Sequence, residues 1–275
     1  MIKTTEHTKP FLRWAGGKNW LLNQIEEFLP DNFNNYIEPF LGGGSVYIYL
    51  KSNGFINGRS YLSDLNFDLI DTYKIIKSSP DALIEDLRNH VNDKDYYYNI
   101  RRAEYANRVQ KASRFIYLNR TSFNGIYREN LKGEYNVPYG YKQYAELFDF
   151  DNIQALSKLF NKTFFSSRDF RKSTPNIRRG DLVFIDPPYT VAHGNNGFVK
   201  YNQKIFAWND QIRLSQFLEY IRGVGGYYIM TNADHSSIRE LFSNHGDIHA
   251  LTRFSLVGGK GAKRTNYKEL IITNI

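Results

Sequence analysis

The chain has 275 residues, of which 41% are hydrophobic, and this is typical of one sizeable α/β domain with a smaller inserted lobe. It contains no cysteine, which excludes disulfides, cysteine-ligated zinc and thiol nucleophiles. Its first residues are polar and its apolar runs are too short to span a bilayer, so we expect a cytoplasmic protein with no membrane partner.

The formal net charge of +8 is unevenly spread along the chain. Residues 94–142 contain ten Lys and Arg against four Asp and Glu, and residues 253–268 contain five Lys and Arg and no acid. Clustered positive charge suits a polyanion, because neutralised phosphates release their counterions. In the second cluster we expect Lys260, Lys263 and Arg264 to contact phosphate. A charge excess that only improves solubility is the alternative interpretation.

Strands and helices alternate in the first eighty residues. In chain order, the sequence predicts a helix over 20–29, a strand over 35–38, a helix over 45–50, a strand over 60–63 and a helix over 68–77. This order predicts the start of a parallel, doubly wound sheet.

The alternation stops near residue 81 and resumes after residue 149. The intervening segment is helical and then rich in Tyr, Asn, Gly and Arg, which indicates an inserted lobe. Beyond it, the sequence predicts strands over 181–185, 227–231, 248–254 and 268–273 and helices over 211–221 and 236–242. The last two strands lie close together in sequence, so we expect an antiparallel edge pair. The predicted fold is α/β, with a doubly wound, mainly parallel sheet and a helical, loop-rich lobe.

A glycine-rich loop follows the first predicted strand and reads Glu-Pro-Phe-Leu-Gly-Gly-Gly over 38–44. Glycines here let the backbone approach a ligand while the next helix points its N-terminus at that ligand. Asp64 lies twenty residues after Gly44, where doubly wound nucleotide sites place an acid that binds ribose hydroxyls. The glycine loop and Asp64 together favour a binding site for a cofactor with an adenosine moiety over an ordinary tight turn. They do not distinguish NAD from S-adenosylmethionine.

A second motif, Asp186-Pro187-Pro188-Tyr189, directly follows the apolar strand predicted over 181–185. A carboxylate there lies at the carboxyl end of a central strand, where doubly wound sheets place their sites. The prolines stiffen the loop and leave backbone carbonyls without local partners. A solvated Asp beside a rigid turn is the alternative interpretation.

The groups in this tetrapeptide suit methylation of an exocyclic amine such as N6 of adenine. The lone pair of that amine is delocalised into the ring, so the nitrogen is a poor nucleophile. The Asp186 carboxylate and the Pro187 carbonyl can accept its two hydrogens and aim the localised lone pair at an electrophilic methyl group. Tyr189 would stack on a base that has been flipped out of the duplex.

Five motifs occur in an order that resembles the Dam-type DNA adenine-N6 methyltransferases, the alpha group of the D12 class. They are Phe-Leu-Arg-Trp-Ala-Gly-Gly-Lys at 11–18, the glycine loop at 38–44, Ser-Asp-Leu-Asn at 63–66, Asn-Arg-Thr-Ser-Phe-Asn-Gly at 119–125 and the tetrapeptide at 186–189. The resemblance implies S-adenosylmethionine as cofactor and double-stranded DNA as substrate. It also implies a catalytic domain formed by 1–80 and 150–275, a target-recognition lobe at 81–149, and a possible cognate restriction endonuclease acting on the same site.

The resemblance also implies roles for individual residues. By it, Trp14 and Lys18 would contact the cofactor, and the loop that includes Phe40, Gly42 and Gly44 would wrap its methionine end. Asp64 would hold the ribose. The remaining residues implied to bind the cofactor are Asp169, Phe170 and Asp186, the first two at its adenine.

The implied DNA-binding residues include a hairpin that enters the duplex beside the target base. There Phe123 fills space in the stack, Asn124 displaces the partner base and Arg128 reads a guanine. Arg13 and Ile126 complete this set. The alternative is that Phe123 is a core residue of the lobe and Arg128 a phosphate contact. The chain departs from the GATC methylases at Tyr141 and after Tyr189, so no target sequence is predicted.

Three other functions remain open at this point. A dehydrogenase that uses NAD would account for the glycine loop but not for the tetrapeptide or the basic lobe. An amino-N4 cytosine methyltransferase would share the chemistry, and a non-catalytic DNA-binding module would share only the charge. The histidines lack metal-binding spacing, so no metal is expected.

Overall fold

The structure is a computed structural model that describes residues 8–130, 133–190, 206–254 and 266–275. Its strands are β1 (Tyr36–Glu38), β2 (Ser60–Asp64), β3 (Thr163–Ser167), β4 (Leu182–Ile185), β5 (Tyr227–Ala233), β6 (Asp247–Phe254) and β7 (Asn266–Thr273). Its α-helices are α1 (Ser45–Ser52), α2 (Phe67–Ser78), α3 (Pro80–Leu87), α4 (Lys94–Arg102), α5 (Arg108–Thr121), α6 (Phe150–Leu159), α7 (Trp208–Gly223) and α8 (Ser236–Phe242).

The described strands form a seven-stranded sheet in the order β3-β2-β1-β4-β5-β7-β6. β4 pairs in parallel with β1 and with β5, while β7 is antiparallel to both β5 and β6. The order reverses between β1 and β4, as in doubly wound sheets, which place ligands outside the carboxyl ends of the strands at such a point. The predicted α/β fold is confirmed. The antiparallel pairing of the last two strands is also confirmed. Of these two strands, β6 lies at the sheet edge and β7 lies between β5 and β6.

The chain divides into two compact units, each made of several segments. The first unit comprises Met1–Asn19, Leu41–Asn57 and Leu62–Arg168. The second unit comprises Trp20–Phe40, Gly58–Tyr61 and Asp169–Ile275. This division follows packing, and the division by function into 1–80 with 150–275 and 81–149 stays a prediction.

The core of the second unit is aliphatic and phenylalanine-rich. It is formed by side chains of β4, β5, β7 and the helices α7 and α8, among them Val183, Met230, Leu270, Phe217 and Phe242. All four residues of β4 are buried, which explains its unbroken apolar sequence, because a central parallel strand is covered on both faces.

A cluster in the first unit is built instead around tyrosines. Tyr97, Tyr117 and Tyr139 are buried there with Ile100 and Leu118. The run of tyrosines at 96–98 therefore packs within the lobe. The helices that carry these residues begin at side-chain caps, since Asp93 accepts a hydrogen bond from an α4 amide and Asn107 from two α5 amides.

The helix predicted over 20–29 is wrong. Only Ile25–Phe28 is helical, as a 3-10 turn, and Gln24 before it forms no side-chain cap. The apolar residues that suggested the helix, Leu21, Ile25 and Phe28, are nevertheless buried. A series of turns can bury residues at this spacing as well as an α-helix can. The elements α6 and β3 carried no prediction. Among the described helices, none has the length and apolar content needed to cross a membrane.

Candidate active site

Two glycines of the loop after β1 have backbones that other residues do not adopt readily. Gly42 has φ +48° and Gly44 has φ +66°. A Cβ on Gly42 would lie 2.8 Å from Cδ1 of Trp14, and one on Gly44 would lie 2.8 Å from the hydroxyl of Tyr73. The Tyr73 hydroxyl donates to the Gly42 carbonyl at 3.0 Å. The turn therefore requires glycine both for its conformation and for its close packing.

Asp64 ends β2 and binds this turn directly. One of its carboxylate oxygens accepts the Gly42 amide at 2.9 Å, and the other accepts the Asn66 amide at 3.0 Å. Burial raises the pKa of Asp64 above its ordinary value, and these amide hydrogen bonds oppose the rise. Each carboxylate oxygen has a second lone pair. Asp64 thus has the chemistry to accept ribose hydroxyls while it holds the glycine turn.

Trp14 and Lys18 lie within the first unit on either side of the Ala-Gly-Gly turn. The Trp14 ring stacks on Tyr127, with ring centroids 5.3 Å apart, and borders Gly42. Lys18 is buried, and its ammonium donates to the Gly16 carbonyl at 2.9 Å. Both predicted cofactor residues are thus held in defined positions, and Trp14 lies beside the glycine turn.

In the second unit, Asp186 directly follows β4 and is partly buried. The hydroxyl of Thr231 on β5 donates to its Oδ1 at 2.6 Å. The Tyr189 hydroxyl donates to Oε2 of Glu269 on β7, also at 2.6 Å. Burial, with the nearby carboxylates of Glu269 and Asp186, raises the pKa of Tyr189 well above 10. The Asp186 and Tyr189 side chains are therefore each held by a side chain from another strand of the sheet.

Thr190, which follows the tetrapeptide, is also held by hydrogen bonds, in which β5 again takes part. The side chain of Gln211 on α7 donates to the Thr190 hydroxyl at 3.2 Å, and the side chain of Asn232 on β5 donates to Oε1 of Gln211 at 3.0 Å. Gln211 and Asn232 have no solvent exposure. Buried amides in a satisfied chain of this kind fix a loop in one position.

Asp169 and Phe170 follow β3 and belong to the second unit. Both carboxylate oxygens of Asp169 accept hydrogen bonds from Arg213 at 2.8 Å. The Phe170 ring is 3% exposed and stacks on Phe40, with centroids 5.2 Å apart. Phe170 is thus a core ring beneath Phe40, and its predicted contact with a cofactor adenine stays a prediction, as does that of Asp169.

The segment that contains Phe123 and Arg128 folds back on residues 134–140. The Phe123 amide donates to the Pro138 carbonyl at 2.8 Å, and the Asn136 amide donates to the Arg128 carbonyl at 3.1 Å. Phe123 is 52% exposed, which excludes the alternative that it is a core residue of the lobe. Asn124 has φ +57°, the left-handed conformation that Asn tolerates in tight turns.

The same segment is tied to Arg13. Asn119 accepts the Arg13 amide at 3.0 Å and donates to the carbonyls of Arg13 at 2.9 Å and Gly125 at 3.1 Å. A Cβ on Gly125 would lie 2.6 Å from Cδ of Arg13. Arg13, Phe123, Asn124 and the exposed Ile126 are therefore brought together in the first unit.

Some expected features lie beyond what the structure covers. Lys260, Lys263 and Arg264 lie outside the described residues. Within the described ranges, no group of three His, Cys, Asp or Glu side chains could hold a metal ion.

Sequence reasoning missed Thr231, Asn232, Gln211 and Glu269, which hold the tetrapeptide and Thr190, and it missed Arg213, which holds Asp169. A signal existed for the first two, since Thr231 and Asn232 are polar residues that interrupt an otherwise apolar strand pattern at its carboxyl end. Glu269 and Gln211 are buried polar residues whose partners depend on strand order, which the sequence did not supply.

A protein family and several individual proteins are similar to this chain. The sequence profile of the D12 class N6 adenine-specific DNA methyltransferases matches residues 14–256. Type II methyltransferase M1.LlaDCHI of Lactococcus lactis subsp. cremoris is 32% identical over 99% of this chain and 97% of its own length. The DNA adenine methylase of Haemophilus influenzae is 32% identical over 96% of this chain and 92% of its own. Among solved structures, a precorrin-6Y C5,15-methyltransferase from Geobacter metallireducens aligns with 96% of this chain at 10% identity and a TM-score of 0.42.

The sequence matches decide between the functions left open above. They extend over most of the chain, and their members are methyltransferases rather than dehydrogenases or passive DNA-binding modules. The matched class modifies N6 of adenine and not N4 of cytosine. The chain therefore belongs to the D12 class N6 adenine-specific DNA methyltransferases, and it is an enzyme that methylates adenine in DNA.

Proposed function

We propose that the methyl donor is S-adenosylmethionine and that Asp186, Pro187 and Tyr189 act on an adenine flipped out of duplex DNA. The observation that carries this proposal is the position of Asp186. Its carboxylate follows the central strand β4, beside the point where strand order reverses, and Thr231 fixes one of its oxygens.

Several residues fit an adenosine-containing methyl donor. Gly42 and Gly44 form the turn that leads into α1, and a side chain at either would clash with its neighbours. Asp64 supplies a carboxylate acceptor for ribose hydroxyls beside that turn. We assign donor binding to these residues with Trp14, Lys18 and Phe40. Asp169, held by Arg213, serves at the adenine end, and Phe170 supports Phe40 from below.

When bound, the donor supplies a methyl group on a positively charged sulfur, which is electrophilic without a metal. Asp186 accepts one hydrogen bond from the adenine N6 amine and the Pro187 carbonyl accepts the other. These bonds localise the nitrogen lone pair. The bound donor would supply its methyl group to this nitrogen, with the C–S bond breaking as the C–N bond forms, and the carboxylate of Asp186 would accept the proton that the methylated nitrogen releases. Catalysis is mainly alignment and electrostatic preorganisation.

Tyr189 provides the face on which the flipped base stacks. Its hydroxyl is held by Glu269, and its raised pKa keeps it protonated as the donor in that bond. A ring that is fixed before the base arrives loses little conformational freedom on binding. This limits the free energy needed to hold an unstacked adenine.

Residues of the first unit recognise the DNA. The exposed Phe123 ring restores stacking where the adenine leaves, and Asn124 contacts the partner base. Arg128, whose guanidinium is held by Asn136 at 2.8 Å, reads a guanine. Arg13 and Ile126 contact neighbouring positions, while Lys260, Lys263 and Arg264 contact phosphate, which makes binding depend steeply on salt.

A restriction partner is a further part of the proposal. The relative from Lactococcus lactis and a relative from Methanocaldococcus jannaschii, 34% identical over 97% of this chain, are both named Type II methyltransferases. By analogy, a cognate endonuclease acting on the same site would be blocked by this methylation.

The proposal is tested by incubating purified protein with S-adenosylmethionine and unmethylated genomic DNA, followed by sequencing that detects modified bases. We expect N6-methyladenine in one short sequence context, with EDTA having no effect. The Asp186→Ala protein is the control and should give none. Methylation of cytosine N4, or no transfer from this donor, would contradict the proposal.

A further inference from the structure

Thr231 occupies a position on β5 that pairing with two other strands fixes. Thr231 pairs with Ile271 of β7, and the preceding residue Met230 pairs with Ile185 of β4. Asp186 directly follows Ile185 at the end of β4, so the register brings Thr231 beside it. Thr231 has no solvent exposure. Its backbone therefore has little freedom to move relative to the catalytic tetrapeptide.

The hydroxyl of Thr231 donates a hydrogen bond to Oδ1 of Asp186 at an oxygen–oxygen distance of 2.6 Å, which is the short distance typical of a hydroxyl donating to a carboxylate. The χ2 torsion of an aspartate is broad, so the plane of its carboxylate needs an external partner to be fixed. A threonine on a strand has a restricted χ1 because it is β-branched. The Thr231 hydroxyl, whose own torsion is restricted, thus sets the orientation of the Asp186 carboxylate, which would otherwise rotate freely about χ2.

We propose that Thr231 is a positioning residue for methyl transfer, which holds the carboxylate plane of Asp186 towards the adenine amine. The inference rests on the proposed role of Asp186. Small errors in the position of a reacting group lower rates by up to about a hundredfold, so the orientation of this carboxylate should appear in the rate of transfer. We expect this bond to act on the rate of transfer and not on the binding of the donor or of DNA.

Other bonds besides those of Thr231 hold the rest of the tetrapeptide. Tyr189 is bound to Glu269, and Thr190 is bound through Gln211 to Asn232. Tyr189 also forms a hydrogen bond with the Thr231 side chain, but its bond to Glu269 remains when the Thr231 hydroxyl is removed. The loop should therefore stay in place while the Asp186 carboxylate is released.

The experiment compares Thr231→Val, which has nearly the same shape, with Thr231→Ser, which keeps the hydroxyl. Thr273→Val is the matched control, because Thr273 is also buried on a strand of this unit and its hydroxyl donates to the Tyr228 carbonyl at 2.8 Å. Single-turnover rates are measured with S-adenosylmethionine and methylatable duplex DNA, together with Kd for both.

We expect Thr231→Val to lower the single-turnover rate by about ten- to a hundredfold, with both Kd values within about twofold of wild type. Thr231→Ser should recover most of the rate, and Thr273→Val should keep it. Thr231→Cys, which retains only a weak donor, should give an intermediate rate and replaces the valine variant if that protein is insoluble.

A rate within about twofold of wild type for Thr231→Val would overturn the inference. So would a serine variant as slow as the valine variant, because the hydroxyl would then not be the active feature. Asp186→Ala is measured alongside. If Asp186→Ala retains activity, the proposed function fails, whereas if only Thr231→Val retains it, the proposed function stands and this inference fails.

Discussion

The two units hold their functional residues in different ways. In the second unit an aliphatic core fixes strands, and single polar side chains at strand ends, such as Thr231 and Glu269, hold the tetrapeptide that is proposed to be catalytic. In the first unit tyrosine hydroxyls hold loops that lack regular structure. Tyr97 donates to the Val137 carbonyl at 2.8 Å, and Tyr135 donates to the Ile126 carbonyl at 2.8 Å.

This difference reflects what backbone groups require. A strand satisfies its carbonyls by pairing, whereas an irregular buried loop needs other donors. Tyrosine supplies a donor together with a large apolar ring, so one residue type provides both core volume and loop anchors. We therefore expect changes in the second unit to act on turnover and changes in the first unit to act on binding and sequence selection.

Asp64→Ala gives the largest expected effect on binding. It removes a carboxylate that holds the Gly42 amide and is proposed to bind ribose. Hydrogen bonds to charged groups contribute roughly 1.5–3 kcal/mol, so Kd for S-adenosylmethionine should rise at least about tenfold. Isothermal titration measures this Kd, and we expect the value for Asp64→Asn to lie between those of the wild type and of Asp64→Ala. An unchanged Kd would leave Asp64 as a support for the turn only.

Arg128→Ala should relax sequence selection, since a bidentate arginine–guanine pair contributes about 1–3 kcal/mol of discrimination. Competition between cognate and near-cognate duplexes in one methylation reaction measures the ratio directly. Relaxation should be confined to one base pair. An equal fall at all sites would make Arg128 a positioning residue.

Phe123→Ala should slow methylation of paired DNA by more than it slows methylation of a duplex whose target adenine is mismatched, because flipping is then less costly. Rates on the two duplexes are measured in parallel. If both fall equally, Phe123 contributes general binding and not base extrusion.

A pair of tyrosine variants tests the contrast between the cores. Tyr97→Phe removes a buried hydrogen bond and should lower the free energy of unfolding by about 1 kcal/mol. Tyr228 is equally buried, but its hydroxyl has no partner among the described residues, so Tyr228→Phe should be neutral or stabilising. Urea denaturation measures the free energy of unfolding of both variants. Equal losses of stability would contradict the proposed difference between the two cores.

The smallest effect concerns alkaline pH. Burial raises the pKa of Tyr228 from 10 to about 12 in the folded protein. The neutral phenol is thus favoured in the folded state, and this contribution is present below pH 10 and lost as pH rises towards 12. Tyr228→Phe should flatten the fall in stability over that range, and an unchanged slope would assign the fall to other groups.

Much of this organisation could be predicted from sequence because it depends on local patterns. The apolar run of β4 and the glycines at 42 and 44 each require one local structure, and their predicted places are those observed. Thr231 and Glu269 could not be assigned, because their roles depend on which strands become neighbours. The turns at 20–24 were mistaken for a helix because both structures bury residues at the same spacing.

The most direct test of the central claim measures methyl transfer and donor binding on the same Asp186→Ala preparation. Asp186 is proposed to act on the adenine amine, so the account predicts a loss of at least about a hundredfold in the single-turnover rate, with Kd for S-adenosylmethionine within about threefold of wild type. A rate above about a tenth of wild type would contradict the account, since the carboxylate would then not take part in the chemical step.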